Sequence, residues 1–259
     1  MIPKVIHYCW LSDDPVPQQY QEYIKEWQII MPEYKIKKWD RNVFNLDEHP
    51  FAKAAFEAKK YAFAADYIRV YALYTEGGIY LDSDVKVIRS FDSFLHFGYF
   101  TSVENHWSKF NYRLLKGRFI DNNGKRLPDI NQVINIGIQA AIVGCEPKHS
   151  YISNLWDYYR NSKWALNSPI IAPVVHAKFA ELYGFLYIDK LQFLSQNIII
   201  FPSEIFCTTV NNQTTNTFAI HCCAGSWTKK NLGAKGFFKN NKVAIWIYLK
   251  YKILFKVQN

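Results

Sequence analysis

The stretch Gly77-Gly78-Ile79-Tyr80-Leu81-Asp82-Ser83-Asp84-Val85 decides the fold. Its two glycines stop whatever precedes them, as a left-handed cap stops a helix. From Ile79 to Ile88 the residues alternate. Ile79, Leu81, Val85 and Val87 hold the odd positions, and Tyr80, Asp82, Asp84 and Lys86 the even ones. A period of two predicts a strand with one apolar and one polar side. Asp82 and Asp84 then share the polar side. Two neighbouring carboxylates repel unless a cation lies between them or one takes a proton. Oxygen ligands with open positions suit Mn²⁺ or Mg²⁺, and either ion binds a diphosphate. The plainer reading is a pair of solvated acids, because Asp-x-Asp is common.

Immediately upstream, Phe51 to Thr75 carries the longest helical pattern, rich in alanine at 54, 55, 58, 62, 65 and 72. Asp66 and Arg69 lie three apart on it and share a face. The helix runs into the Gly-Gly turn, so an acid and a guanidinium approach the Asp pair. Asp66 suits ribose or sugar hydroxyls, and Arg69 suits phosphate or a sugar hydroxyl. Without the Asp-x-Asp, an internal helix ion pair would explain both.

Farther out, Val5 to Leu11 reads as a first buried strand and Tyr34 to Trp39 as a second. Tyr20 to Ile30 reads as the helix between them, ended by Pro32. Trp10 ends the first strand. In open α/β sheets ligands bind beyond the carboxyl ends of strands, where a Trp stacks on a base or closes the core. Residues 105–132 read as a polar excursion, Ile134 to Val143 as an apolar run and Tyr151 to Tyr159 as a helix. Residues 165–175 read as irregular, with short strands at Ile198 to Phe201 and Phe218 to His221. Strands alternating with helices predict an α/β fold.

The 259 residues carry a formal charge of +9, unevenly placed. From Lys229 onward there are eight lysines and no acid, so the remaining body is nearly neutral. A nucleic-acid binder would show a basic face across its fold, and nucleic acid is not expected as a partner. The stretch 237–259 reads as a basic amphipathic helix resting on an anionic membrane surface, or as a packed terminal helix with solvated lysines. Its longest apolar run, Val243 to Leu249, falls short of the about 20 residues a span needs. Five cysteines in no staple pattern read as reduced thiols. The N-terminus reads without a signal peptide, since Lys4, His7 and Asp13-Asp14 interrupt it.

Several ordered motifs now converge. They are Ile2 to Trp10, Trp27, Pro32-Glu33-Tyr34, Trp39, Ala65 to Arg69, Leu73-Tyr74 and Gly77 to Val85, followed by Gly144 to His149, His221 and Ser226-Trp227. Together they resemble glycosyltransferase family 32, the group with a sugar-binding region containing the DXD motif. The resemblance implies an α/β fold of GT-A type, a single mainly parallel Rossmann-like sheet flanked by helices. It also implies Mn²⁺ dependence (or Mg²⁺) and retention of anomeric configuration. Carried over, it puts Trp10 on the nucleotide base, and Asp66 and Arg69 on the ribose and donor sugar. Tyr80 and Asp82 lie against the nucleotide, Asp84 ligates the metal with Asp82 beside it, and Ser226 and Trp227 close over the diphosphate. His221 is a further metal or phosphate contact, or a structural histidine. Asn135, with Gly137, stands where related retaining enzymes place an Asn-x-Gly strand by the donor sugar.

The expectation is a metal-dependent retaining hexosyltransferase acting on a nucleotide sugar, with UDP-linked donors ahead of GDP-mannose. The acceptor would be a glycan or lipid-linked saccharide in capsule or lipopolysaccharide synthesis. The expected organisation is a transferase domain over 1–236 and a membrane-contacting helix over 237–259, in the cytoplasm or on the inner face of its membrane. Two rivals stand beside it. A non-catalytic carbohydrate- or membrane-binding module explains the aromatics and the tail but not the set Asp66, Arg69, Asp82 and Asp84. A haloacid-dehalogenase-like phosphatase would need a later acidic pair, and the acids after Asp84 are scattered singly.

Overall fold

Alternation and helical periodicity place the elements of the computed structural model, which describes residues 1–105, 115–133, 135–165, 171–207 and 213–223. In chain order the strands are β1 (Val5–Cys9), β2 (Lys35–Trp39), β3 (Gly78–Leu81), β4 (Val85–Val87), β5 (Tyr99–Asn105) and β6 (Ile136–Ile138). They continue as β7 (Ile142–Cys145), β8 (Gln192–Leu194), β9 (Ile198–Phe201), β10 (Phe206–Cys207) and β11 (Ala219–His221). The helices are α1 (Gln18–Ile30), α2 (Pro50–Glu57), α3 (Tyr61–Glu76), α4 (Ser150–Asn161) and α5 (Ala172–Ala180).

The central sheet has the order β2-β1-β3-β7-β5-β9-β8, with β6 added alongside β5. β1 pairs parallel with β2 and β3, and β5 pairs parallel with β9. β7 is antiparallel to both β3 and β5. So β2, β1, β3, β5 and β9 all point one way, with β7 and β8 reversed. The α/β architecture expected of a GT-A-type fold is present, with a sheet that is parallel in general direction but mixed in its pairings. A small sheet, β10-β11-β4, stands beside it.

Each face of the central sheet carries its own core. One face packs against α2 to α5 through Tyr67, Ile68, Leu73, Ile152, Leu155 and Val175. The other meets Trp27 of α1, Met31 just after it, and the small sheet through Val85, Val87, Phe206 and Ala219. β3 alternates between them: Tyr80 enters the first core, and Ile79 and Leu81 the second.

Four expectations change. The strand predicted over Ile79 to Ile88 is two strands in two sheets, and Asp82, Ser83 and Asp84 form the passage between them. The helix predicted over Phe51 to Thr75 is two helices. The Lys60 N–H bonds to the Ala55 carbonyl and the Lys59 N–H to that of Phe56, with Lys59 at φ 56°. That is a Schellman ending built on a lysine rather than a glycine. The apolar run Ile134 to Val143 divides between β6 and β7. α5 starts inside the stretch read as irregular, because a proline in a first turn starts a helix as readily as it ends one.

The Gly-Gly turn also differs from a left-handed cap. Gly77 has φ 65° with ψ −163°, a region open essentially to glycine alone. A Cβ there would meet Pro147 Cδ at 2.5 Å, and one on Gly78 would meet the Val5 carbonyl oxygen at 2.6 Å. Both glycines therefore let α3 hand over to β3 in tight contact with β1 and the end of β7.

The described residues belong to one compact unit, Met1–Ala224. No helix among them is long and apolar enough to cross a membrane. The segment 237–259 lies outside the described residues.

Candidate active site

Parallel pairing puts the carboxyl ends of β2, β1 and β3 along one edge, where ligands of such sheets bind. Trp10, Asp40 and Asp82 follow these three strands. The Asp82 N–H extends the β3–β7 pairing by bonding the Ala141 carbonyl at 2.9 Å. The turn then closes, with the Val85 N–H on the Asp82 carbonyl at 3.0 Å. Trp27 Nε1 donates to the Val85 carbonyl at 2.9 Å and anchors β4 to α1.

β11 completes the arrangement. It pairs antiparallel with β4, placing His221 opposite Val85, and the Cys222 N–H bonds the Asp84 carbonyl at 3.1 Å. His221 Nε2 lies 3.5 Å from Asp84 Oδ1 and 3.8 Å from Asp82 Oδ2. The three side chains each offer a ligand atom, all within 4.8 Å of one another. Cis ligands on a Mg²⁺-sized ion stand about 3 Å apart, so small side-chain rotations close the set on a divalent cation. Two carboxylates and an imidazole are a fitting donor set for Mn²⁺ or Mg²⁺. Burial works against the imidazolium of His221, but Asp84 and Cys223 outweigh it and hold the ring well above the ordinary histidine range.

Arg69 joins this cluster to α3. Its Nη1 donates to Asp66 Oδ1 and its Nη2 to Asp82 Oδ1, each at 2.9 Å. Its guanidinium carbon sits 4.6 Å from the centre of the Tyr80 ring. Only 5% of the Arg69 side chain is exposed. Both terminal nitrogens of Arg69 are engaged by carboxylates. Asp82 is thus a bridge, one oxygen on Arg69 and the other toward His221. Burial pushes the Asp66 carboxyl up to about 7; Arg69 opposes the shift, and Asp82 and Glu104 add to it.

The remaining expected residues fall as follows. Trp10 stands half-buried at the same edge, its Nε1 donating to the Asp14 carbonyl at 2.8 Å. Its neighbour Cys9 feels the charges of Asp82, Arg69, Asp40 and Asp66. Tyr80, expected against the nucleotide, is 1% exposed and carries the Arg69 guanidinium over its ring. Asn135 has φ 61° and leads into β6. Gly137 pairs there with Glu104, the acid that acts on Asp66. Ser226 and Trp227 lie outside the described residues. Among the described residues no later acidic pair joins the two aspartates, as the phosphatase reading would need.

Sequence reasoning passed over several supports. His7 is fully buried; its Nδ1 accepts from Trp39 Nε1 at 3.0 Å, leaving Nε2–H to donate to the Gly77 carbonyl at 2.8 Å. That bond ties the Gly-Gly turn to β1 and β2. Tyr20 of α1 faces Asp84, and burial, then that charge, push its hydroxyl up to about 12. Glu104 was one single acid among many, and no local pattern marks it.

Residues 17–101 match the family model described as "Glycosyltransferase sugar-binding region containing DXD motif". Over 100 residues the chain is 32% identical to inositol phosphoceramide mannosyltransferase 3 of Schizosaccharomyces pombe, covering 37% of this chain and 28% of that protein. Over 101 residues it is 33% identical to mannosyl phosphorylinositol ceramide synthase SUR1 of Saccharomyces cerevisiae, covering 38% and 26%. The match thus spans little more than a quarter of each of these relatives. Among solved structures, the PaToxG glycosyltransferase aligns at a TM-score of 0.49 and 17% identity, over 70% of this chain and 68% of that one. The matched segment, residues 17–101, holds Asp66, Arg69, Asp82 and Asp84.

Proposed function

We propose that this chain is a divalent-metal-dependent retaining hexosyltransferase that takes its sugar from a nucleotide donor. The observation that carries the reading is the convergence of Asp82, Asp84 and His221, with Asp82 held by Arg69. A cation bound there would offset the charge developing on a nucleoside diphosphate as it leaves. Asp84, Asp82 Oδ2 and His221 Nε2 hold the ion. Arg69 and Asp66 fix the second oxygen of Asp82, so the site is ordered before the donor arrives. Trp10, at the neighbouring strand end, offers an aromatic face to the base.

Mn²⁺ is the favoured ion and Mg²⁺ the substitute. The family resemblance favours UDP-linked hexoses, while the relatives are named for mannosyl transfer to inositol phosphoceramide, so UDP-hexoses and GDP-mannose form two arms of one test. The acceptor we propose is a lipid-linked saccharide or glycan, with the basic segment 237–259 bringing the enzyme to an anionic membrane surface on its cytoplasmic side. Capsule, lipopolysaccharide or a glycosylated sphingolipid-like product each fits such an acceptor. No carboxylate stands out as a nucleophile, and attack from the face the leaving group vacates fits retention. A glycosyl-enzyme trapped on a side chain would rule that route out.

The test is nucleotide release from a donor panel with Mn²⁺. Release from one donor class, abolished by chelation and by Asp84→Asn, is expected. Absence of release from every donor, with no thermal shift on adding donor and Mn²⁺, would favour a binding module instead.

A further inference from the structure

The thiols of the adjacent cysteines that follow β11 have no role in the proposed chemistry so far, and one of them meets the imidazole of the site. Cys223 Sγ lies 3.4 Å from His221 Nδ1. The carboxylates of Asp82 and Asp84 face the opposite ring nitrogen, Nε2. The imidazole is therefore held from both sides, with sulfur behind and carboxylates in front.

The backbone shows how the sulfur gets there. A side chain two residues along a strand would point the same way as His221, not back onto its ring. Cys223 breaks the strand with φ 47°, in the left-handed region that costs a non-glycine residue. The turn folds the thiol over Nδ1. A glycine would take this conformation more easily but would bring no atom to the imidazole. Strain at a residue beside a site points to a function for its side chain.

We propose that Cys223 is a positioning residue for the cation site, fixing the ring orientation and tautomer of His221. This rests on the reading of Asp82, Asp84 and His221 as a divalent-cation site. A histidine that gives a metal its Nε2 lone pair must carry its proton on Nδ1, and that N–H needs an acceptor. The Cys223 sulfur is that acceptor. It takes the place that a carboxylate or backbone carbonyl fills behind most metal-bound histidines. Sulfur is a weaker acceptor than oxygen, so it orients the ring while adding little basicity.

The experiment is a Mn²⁺ titration of the full chain by calorimetry, cross-checked by the electron paramagnetic resonance signal of free Mn²⁺. Thermal unfolding is recorded on the same samples. Cys223→Gly is the informative variant because it relieves the backbone strain. It is expected to unfold at or above the wild-type temperature yet to bind Mn²⁺ roughly 10-fold to 100-fold more weakly. Cys223→Ser keeps an acceptor and is expected to stay within severalfold of wild type, with Cys223→Ala close to the glycine variant. Wild-type affinity in Cys223→Gly overturns the proposal. If the glycine variant does not fold, equal affinities in the serine and alanine variants overturn it. His221→Ala separates the two levels. If wild type binds Mn²⁺ and His221→Ala binds it equally well, the cation-site reading fails, and this inference with it. If only His221→Ala is weakened, the cation site stands and Cys223 alone loses its role.

Discussion

The two halves of the described chain build the site in different ways. Residues 1–101 contribute Asp66, Arg69, Asp82 and Asp84 from one continuous helix-turn-strand run, with Trp10 just past the end of the strand beside it. Residues 115–223 contribute His221, which arrives through β11 almost 140 residues after the aspartates it faces. The first half is ordered by local geometry: a three-residue helix spacing, a glycine turn and a strand end. The second half acts through tertiary packing alone. Any change there must travel through a sheet pairing before the Asp82–Asp84–His221 group feels it.

The largest test of this contrast sets Asp84 against His221. Asp84→Asn removes a charged ligand fixed by its own turn, and nucleotide release is expected to fall about a thousandfold, or roughly 4 kcal/mol of barrier. His221→Ala removes a neutral ligand delivered from afar, and about 10-fold to 100-fold is expected. Equal losses, measured under saturating Mn²⁺, would show that both halves carry the chemistry alike. Next comes Arg69→Met, which leaves Asp66 and Asp82 without their shared cation. Breaking a buried pair costs about 3–5 kcal/mol; Asp82 keeps some water, so the lower end applies. Thermal unfolding should drop by about 10 °C. An unchanged midpoint would mean that the local run is not held by this residue. Gly77→Ala follows. The backbone region it needs and the 2.5 Å approach to Pro147 predict a loss of about 2 kcal/mol, read as a drop of roughly 6 °C.

The same contrast decides what was legible. Asp66 and Arg69 share a helix face by spacing alone, and three-apart residues meet whatever the rest of the fold does. The convergence of Asp82 and Asp84 was read correctly for a reason that does not hold. The alternation of residue types runs on through Val87, yet the strand stops at Leu81. Ile79, Leu81, Val85 and Val87 all bury in the same core, so hydropathy keeps its period across a turn that changes sheets. Periodicity reports which core a residue enters, not which partner strand it pairs with. The break between α2 and α3 was hidden for a related reason. Alanine-rich segments flank it, and a lysine, not a glycine, takes the left-handed position. Tyr80 reads as a ligand contact from its motif position; that the Arg69 guanidinium packs onto its ring has no local signal. Cys223 was invisible, because nothing local announces that a cysteine turns back onto a histidine two residues earlier.

The smallest effect at neutral pH tests how the second half supports the first. His176 on α5 is fully buried, and no group among the described residues bonds either ring nitrogen. Burial, with the Arg69 charge adding to it, pushes its pKa down to about 3. A folded-state value below the unfolded one means that the unfolded chain takes the proton first. The stability is fully present above about pH 6.5 and is lost as pH falls toward 3. His7 is shifted in the same direction, mainly by burial, so wild type carries both liabilities. His176→Leu removes one of them and leaves no bonded partner behind. At pH 7.5 the variant should unfold within about 2 °C of wild type. At pH 5 it should be the more stable by about 2 kcal/mol, or roughly 5 °C. A gap that does not widen between the two pH values would mean that His176 takes up a proton within the fold. The Arg69 cluster would then tolerate a second positive charge nearby, and α5 would be coupled to the cation site more loosely than the burial of this ring implies.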